Sequence, residues 1–290
     1  MGLNIIVTVK QVPDTHHISS DAMKPDGTVN RSALPAIINP DDLYALEEAL
    51  KIKEQIGGKV IAITMGPSNA VDVLKECLYR GADDVILLSD RRFAGSDTLA
   101  TSYILKCAVD TIGHYDLVLC GQQAIDGDTG QVGPQLAEKL DINQLTYVTK
   151  IVDINPADIT VNRSIEYGYE VVKSSFPVLL TVSSQANEPR PPSVKRVMAF
   201  KNIDCRACDG AAYEETYLNP NSCDRMNYIK EWNCESIHAQ PERCGILGSP
   251  TRVRKIENIV LVQGNTKQVP NTQSGIVDMI QELFSEHILV

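Results

Sequence analysis

Short apolar runs alternate with stretches of helical period along the first half of the chain. Asn4 to Val9 is rich in β-branched apolar residues and predicts a buried strand. In LYALEEALKIKEQI, Leu43, Leu46, Leu50 and the Lys53 stem share one helical face; Asp41 or Asp42 is placed to cap that helix and Gly57-Gly58 to end it. The pattern then repeats. Lys59 to Thr64 predicts a second strand, Ser68 opens the helix NAVDVLKECLYR, and Gly81 stops it. Asp84 to Leu88 predicts a third strand, Ser96 or Asp97 opens a helix through Ile112, and Asp116 to Cys120 predicts a fourth strand. Uninterrupted apolar strands separated by helices predict a parallel sheet covered on both faces, an α/β doubly wound fold.

The period changes after Leu140. Thr146 to Asp153, Asp158 to Ser164, Tyr167 to Ser174 and Pro177 to Val182 read as strands with short turns between them, an antiparallel hairpin addition that extends the same sheet. From Glu188 the proline-rich EPRPPSVKRVMAF opens a stretch of little periodicity, whose one clear amphipathic helix is the closing SGIVDMIQELFSEH. The expected organisation is an α/β domain over residues 1–187 and an extended C-terminal arm over 188–290.

Composition excludes some partners. A net charge of −10 over 290 residues argues against a nucleic-acid surface, and the short basic pairs, such as Lys195-Arg196, read as solvated. The start of the chain has neither the charged lead nor the long apolar run of a signal peptide, and no stretch suits a membrane span, so the expected location is cytoplasmic. Eight cysteines there are expected as thiols, with Cys77, Cys107 and Cys120 as small core residues.

Ligands of doubly wound sheets bind at the carboxyl ends of the strands, where strand order reverses. Three loops lie at such ends: Val9 to Asp14, Thr64 to Pro67, and GQQAIDGDTGQVG from Gly121 to Gly133. The glycines let backbone approach a phosphate, and Thr129, Gly130, Gln131 and Val132 offer N–H groups where a helix begins. There is no Walker lysine and no GxGxxG spacing. Composition alone leaves two readings open, a phosphate or pyrophosphate cradle and a well-capped turn with no ligand. Lys10 could meet an anion or simply end its strand in solvent; Asp126 and Asp128 could cap or contact a ribose.

At this loop the sequence resembles a known family. AIDGDTGQVG, NPDDLYALEEALKIKE at 39–54, TMGP at 64–67, VNRSIEYGYEVVKSSFPVLLTV at 161–182, NEPRPPS at 187–193 and GSPTRVRKI at 248–256 are similar to the β subunits of electron-transferring flavoproteins. The resemblance implies an α/β fold of adenine-nucleotide-binding type and a heterodimer with an α subunit, around which the C-terminal arm wraps. It implies a nucleotide held by Thr8, Val9 and Lys10, by Asn39, Pro40, Asp41 and Asp42, by Thr64, Met65 and Gly66, and by Cys120, Gly121, Gln122, Gln123, Ala124, Ile125, Asp126, Gly127, Asp128, Thr129, Gly130, Gln131 and Val132. No side chain is implied as a catalytic acid or base, because a flavin carries the hydride step itself.

Gly127, Thr129-Gly130, Asp42 and PERCGILGSPTRVRK resemble the electron-bifurcating members. Those members imply FAD in the β-subunit site, NAD(H) as hydride partner, ferredoxin, and a partner flavin dehydrogenase of acyl-CoA or hydroxy-acid type. The conventional members imply a structural AMP instead. The resemblance also places Glu188, Pro189, Arg190 and Val194 in the loop that docks the dehydrogenase. Cys205 and Cys208, with Cys223, Cys234 and Cys244 and with His238 near, depart from the family pattern; the spacing suits a structural metal, although unliganded thiols are the expected state.

Two other classes remain open. A nucleotide-binding stress-type module would share the α/β core but not need the hairpin and arm. A self-sufficient NAD-dependent oxidoreductase would need a catalytic partner for His16 or His17, and the sequence pairs neither with an acid.

Overall fold

The computed structural model describes residues 2–14, 35–203, 228–251 and 268–285. Strand β1 (Leu3–Thr8) leads into a two-stranded antiparallel ribbon of β2 (Gln11–Pro13) and β3 (Ala36–Ile38), then α1 (Pro40–Ile56) and β4 (Gly58–Met65). Helix α2 (Val71–Arg80), β5 (Asp84–Leu88), α3 (Thr98–Ile112), β6 (Leu117–Gly121) and α4 (Val132–Leu140) follow. The chain continues through β7 (Asn143–Ile154), β8 (Asp158–Ile165), β9 (Gly168–Ser175), β10 (Val178–Val182), α5 (Val194–Phe200), β11 (Ile229–Trp232), α6 (Gly245–Gly248) and α7 (Gln273–Ser285).

One nine-stranded sheet has the order β11-β5-β4-β1-β6-β10-β7-β8-β9. Every pairing from β11 to β7 is parallel, and β7, β8 and β9 are antiparallel. The apolar runs alternate between two cores, as period-two side chains must. Ile5, Val7, Val60, Ala62, Leu117 and Leu119 face α1 and α2; Ile6, Ile61, Ile63, Val118 and Cys120 face α3 and α4. Cys77, Cys107 and Cys120 are buried, as the sequence indicates.

The chain builds outward from β1 through β4 to β5, then returns to β6 on the other side of β1. Strand order therefore reverses between β1 and β6, and the crevice at their carboxyl ends is the switch point.

Four features depart from the sequence reading. β10 is not part of a hairpin addition; it inserts between β6 and β7 and pairs in parallel with both, because its five buried residues, four of them apolar, suit the sheet interior. Within the segment expected as an arm, residues 228–251 return to the sheet: β11 adds an edge beside β5, and Cys234, Ile237 and Cys244 enter the core. Arg196 is not solvated, since its guanidinium donates to the Leu78 and Ala82 carbonyls at 3.1 and 3.4 Å and so satisfies carbonyls at the end of α2. Ser68 begins a short 3₁₀ turn, and α2 starts only at Val71. Asp97 does cap α3, accepting from the Leu99 and Ala100 N–H groups, both at 3.0 Å.

Leu119 sits fully buried on β6, between α1 and the sheet. Leu119→Ala is expected to lower unfolding free energy by about 2–5 kcal/mol, measured by chemical denaturation, through lost burial and the cavity left behind.

Candidate functional site

The site is built on the first turn of α1. Pro40 occupies the first helical position and Asn39 precedes it without capping through its side chain. The side chains of Asn39, Asp41 and Asp42 instead reach sideways to the ends of β1 and β6. Asp42 Oδ2 accepts from the Lys10 N–H at 2.8 Å and Oδ1 from the Gly121 N–H at 3.2 Å. Asn39 donates through Nδ2 to the Gln123 carbonyl at 2.8 Å and accepts from the Ile125 N–H at 3.1 Å. Asp41 accepts from the Gln123 N–H at 3.3 Å. The expectation that Asp41 or Asp42 caps the helix is corrected: their oxygens serve the backbone of two other loops.

This knot carries much negative charge with little water. Burial pushes the Asp42 carboxyl up to about 7, against the lowering effect of its hydrogen bonds. Burial also raises Asp41, with Asp128 adding repulsion. Gly121 makes room for the knot, since a Cβ there would lie 2.4 Å from Asp42 Oδ1 and 2.7 Å from the Asp41 carbonyl carbon.

Beyond the knot the loop runs over the sheet edge. Asp126 pairs with the Lys10 ammonium at 2.6 Å, so Lys10 bridges the ends of β1 and β6 and is not an unpaired strand-end lysine. Asp128 and Gly130 take left-handed conformations, with φ of 48° and 59°. Asp128 receives a long hydrogen bond of 3.4 Å from the Gln123 amide and caps no helix. The N–H groups of Thr129, Gly130 and Gln131 take no acceptor among the described residues. They lie at the start of α4, whose dipole adds to their positive potential. Such N–H groups are an anion cradle.

Thr8, Thr64, Met65 and Cys120 end the adjacent strands β1, β4 and β6; Val9 and Gly66 follow directly. The Thr64 hydroxyl is buried without a hydrogen-bond partner, and a Cβ on Gly127 would meet nothing within 4 Å, so the loop leaves open space there. Residues Thr8 to Lys10, Asn39 to Asp42, Thr64 to Gly66 and Cys120 to Val132 thus share one edge of the sheet. Sequence reasoning missed Gln11, which donates to the Asn69 carbonyl at 3.2 Å and ties β2 to the loop after β4. No spacing signalled it. A separate open cleft of about 650 Å³ lies between α3 and residues 237–243, lined by Tyr103, Lys106, Asp110, His238 and Arg243 among others, and holds none of these residues.

The proline-rich loop is a second surface. The Arg190 guanidinium turns inward to Glu47, at 2.8 Å, and to Glu54, both on α1. Asn187 donates to the Tyr44 carbonyl and Glu48, and the Ser193 N–H to the Tyr79 carbonyl. Pinned in this way, the loop presents Val194 with 78% of its surface exposed, beside exposed Met198; Glu188 is exposed and Pro189 half-buried. Cys205, Cys208, Cys223, His16 and His17 lie outside the described residues. Cys234 and Cys244 are buried thiols donating to the Ala239 and Gln240 carbonyls, and no group of three or more metal-ligating side chains occurs among the described residues.

A family model described as the electron transfer flavoprotein domain matches residues 26–205. The chain is 39% identical over 287 residues to an electron transfer flavoprotein subunit beta of Thermoanaerobacterium thermosaccharolyticum, covering 99% of this chain and all of that one. This chain belongs to the electron transfer flavoprotein family. It is also 44% identical over 252 residues to the caffeyl-CoA reductase-Etf complex subunit CarD of Acetobacterium woodii, covering 87% and 86% of the two chains. Protein FixA of Sinorhizobium fredii is 38% identical over 288 residues, covering 97% and 92%. An electron transfer flavoprotein works with a flavin or nucleotide, and the cradle before α4 has the donors for one. No helix among the described residues is long and apolar enough to cross a membrane.

Gly121→Ala is expected to cost about 1–3 kcal/mol, because its methyl overlaps both the Asp42 carboxylate and the α1 backbone. Hydrogen exchange at the Gln123 and Ile125 amides should accelerate with it; unchanged protection would show that the knot does not hold the loop.

Proposed function

We propose that this chain is the β-type subunit of a heterodimeric electron transfer flavoprotein and that the edge between β1 and β6 binds FAD. The observation that carries the reading is the run of unpartnered N–H groups at Thr129, Gly130 and Gln131, set at the switch point and at the start of α4. They suit a pyrophosphate. The open space at Gly127 and the unpartnered Thr64 hydroxyl fit a ligand larger than a phosphate alone. FAD bound there would accept a hydride from NAD(H) and release electrons singly.

The chain's own residues would bind and orient. Backbone N–H groups of residues 129–132 would hold the phosphates, Lys10 would neutralise charge by exchanging Asp126 for the ligand, and Asn39 with Asp42 would fix the loop. Electrons would pass to a second FAD in an α subunit, with ferredoxin as the low-potential partner. Relatives named for a caffeyl-CoA reductase complex and for an acryloyl-CoA reductase support a flavin dehydrogenase of acyl-CoA type over one of hydroxy-acid type. Val194, projecting from a loop pinned by Arg190, would be the apolar anchor for that dehydrogenase, and the C-terminal arm would hold the α subunit. The second reading is a structural AMP, whose single phosphate the same N–H groups would also hold.

Co-expression with an α-type subunit, anaerobic purification and denaturation allow FAD and AMP to be counted per heterodimer. Two FAD and no AMP are expected; one of each would replace the first reading by the second. Gly127→Trp should abolish nucleotide retention with little change in thermal stability, since the side chain enters open space. Val194→Asp should weaken coupling to an acyl-CoA dehydrogenase on the order of tenfold or more while leaving flavin content intact, as removal of a central apolar anchor does.

A further inference from the structure

We propose that Asp42 is a positioning residue through which nucleotide binding is coupled to proton uptake. The inference rests on the nucleotide site proposed above, but concerns a group that need not touch the ligand.

Asp42 lies beneath the loop, 7% exposed, with its two oxygens divided between the ends of β1 and β6. Its surroundings supply dipoles and no counter-charge. The titratable groups within electrostatic reach of it are Asp41 on the same turn, Cys77 on α2 and Cys120 on β6, and the neutral Asn39 donates a hydrogen bond to it. Lys10 offers Asp42 only its backbone N–H, because its ammonium is directed to Asp126. No Lys, Arg or His among the described residues forms an ion pair with Asp42.

Burial without a counter-ion places this carboxyl near about 7, so both protonation states are populated around neutrality. The loop that begins at Gly121, whose N–H Asp42 holds, is the one that would receive the phosphates. Added negative charge there disfavours the carboxylate, and the complex takes up a proton at Asp42. If Lys10 leaves Asp126 for a phosphate, a second carboxylate loses its partner on the same edge, which acts in the same direction. The sign is therefore fixed: affinity falls as pH rises above about 7, with a limiting slope of about tenfold per pH unit for one proton. Without ligand, the folded chain holds a proton that the unfolded chain has released between 3.8 and about 7, so stability also falls as pH rises through that window.

The test uses the full chain purified with an α-type subunit and stripped of nucleotide, titrated calorimetrically near neutral pH with FAD and with AMP in two buffers of different ionisation enthalpy. FAD carries no phosphate monoester, so its phosphates contribute no titration there; that of AMP is subtracted using the free ligand. A substantial fraction of a proton taken up with either probe is expected in the wild type and in Asp41→Asn, and none in Asp42→Asn. Binding without proton uptake in the wild type overturns the coupling, as does uptake that persists in Asp42→Asn. If Asp42→Asn does not fold, the wild type decides whether a proton is taken up, and loss of uptake in Asp41→Asn would move the role to the neighbouring acid and overturn the assignment. Failure of both probes to bind the wild type removes the nucleotide site itself, an outcome distinct from binding without a proton.

Discussion

The candidate site depends on one exchange of hydrogen bonds, in which the first turn of α1 gives its side chains away. A helix that starts with Asn-Pro-Asp-Asp has three groups able to satisfy its own N–H groups, yet Asn39, Asp41 and Asp42 serve Lys10, Gly121, Gln123 and Ile125. Two strands already paired through their ladder are thereby joined again, at the place where their carboxyl ends diverge. The cost is a pair of partly or wholly buried carboxyls. What they stabilise is a loop whose remaining N–H groups are left facing outward.

That arrangement resolves an apparent conflict between composition and chemistry. A chain with a net charge of −10 is poorly suited to attract an anion by its overall field. Attraction at short range comes here from backbone, through the turn at Asp128 and Gly130 and the start of α4, which carry fixed partial charges that need no lysine. Lys10 is the nearby cation, and Asp126 keeps it at the site.

Much of the core was legible because its signals are local. β1, β4, β5 and β6 are apolar runs, and Asp97 caps α3 through contacts within three residues. The rest depends on distance along the chain. β10 sits beside β6 although the pairing joins residues near 180 to residues near 119, and nothing in VLLTV distinguishes an insertion from a hairpin. β11 is IKEW, with two exposed polar residues in four, so its period is too short to read. The candidate loop after β6 is legible from its glycine content and its position after a strand. The knot beneath it is not, because Asn39 and Asp42 carry the signature of a helix start and the competing backbone partners lie about 80 residues away. Glu47 and Glu48 mislead in the same way, as polar residues buried in α1 because Arg190 and Asn187 come to meet them.

Those last contacts give α1 a mechanical character. Its first turn holds the loop after β6, and Glu54, about 18 Å further along the axis, holds Arg190 in the loop that carries Val194. Between them the helix is packed against the sheet, with Ala45, Leu46, Ala49 and Leu50 buried. The glycine-rich loop and the proline-rich tip are therefore fixed to opposite ends of one packed rod, and the distance between them is set by the length of α1.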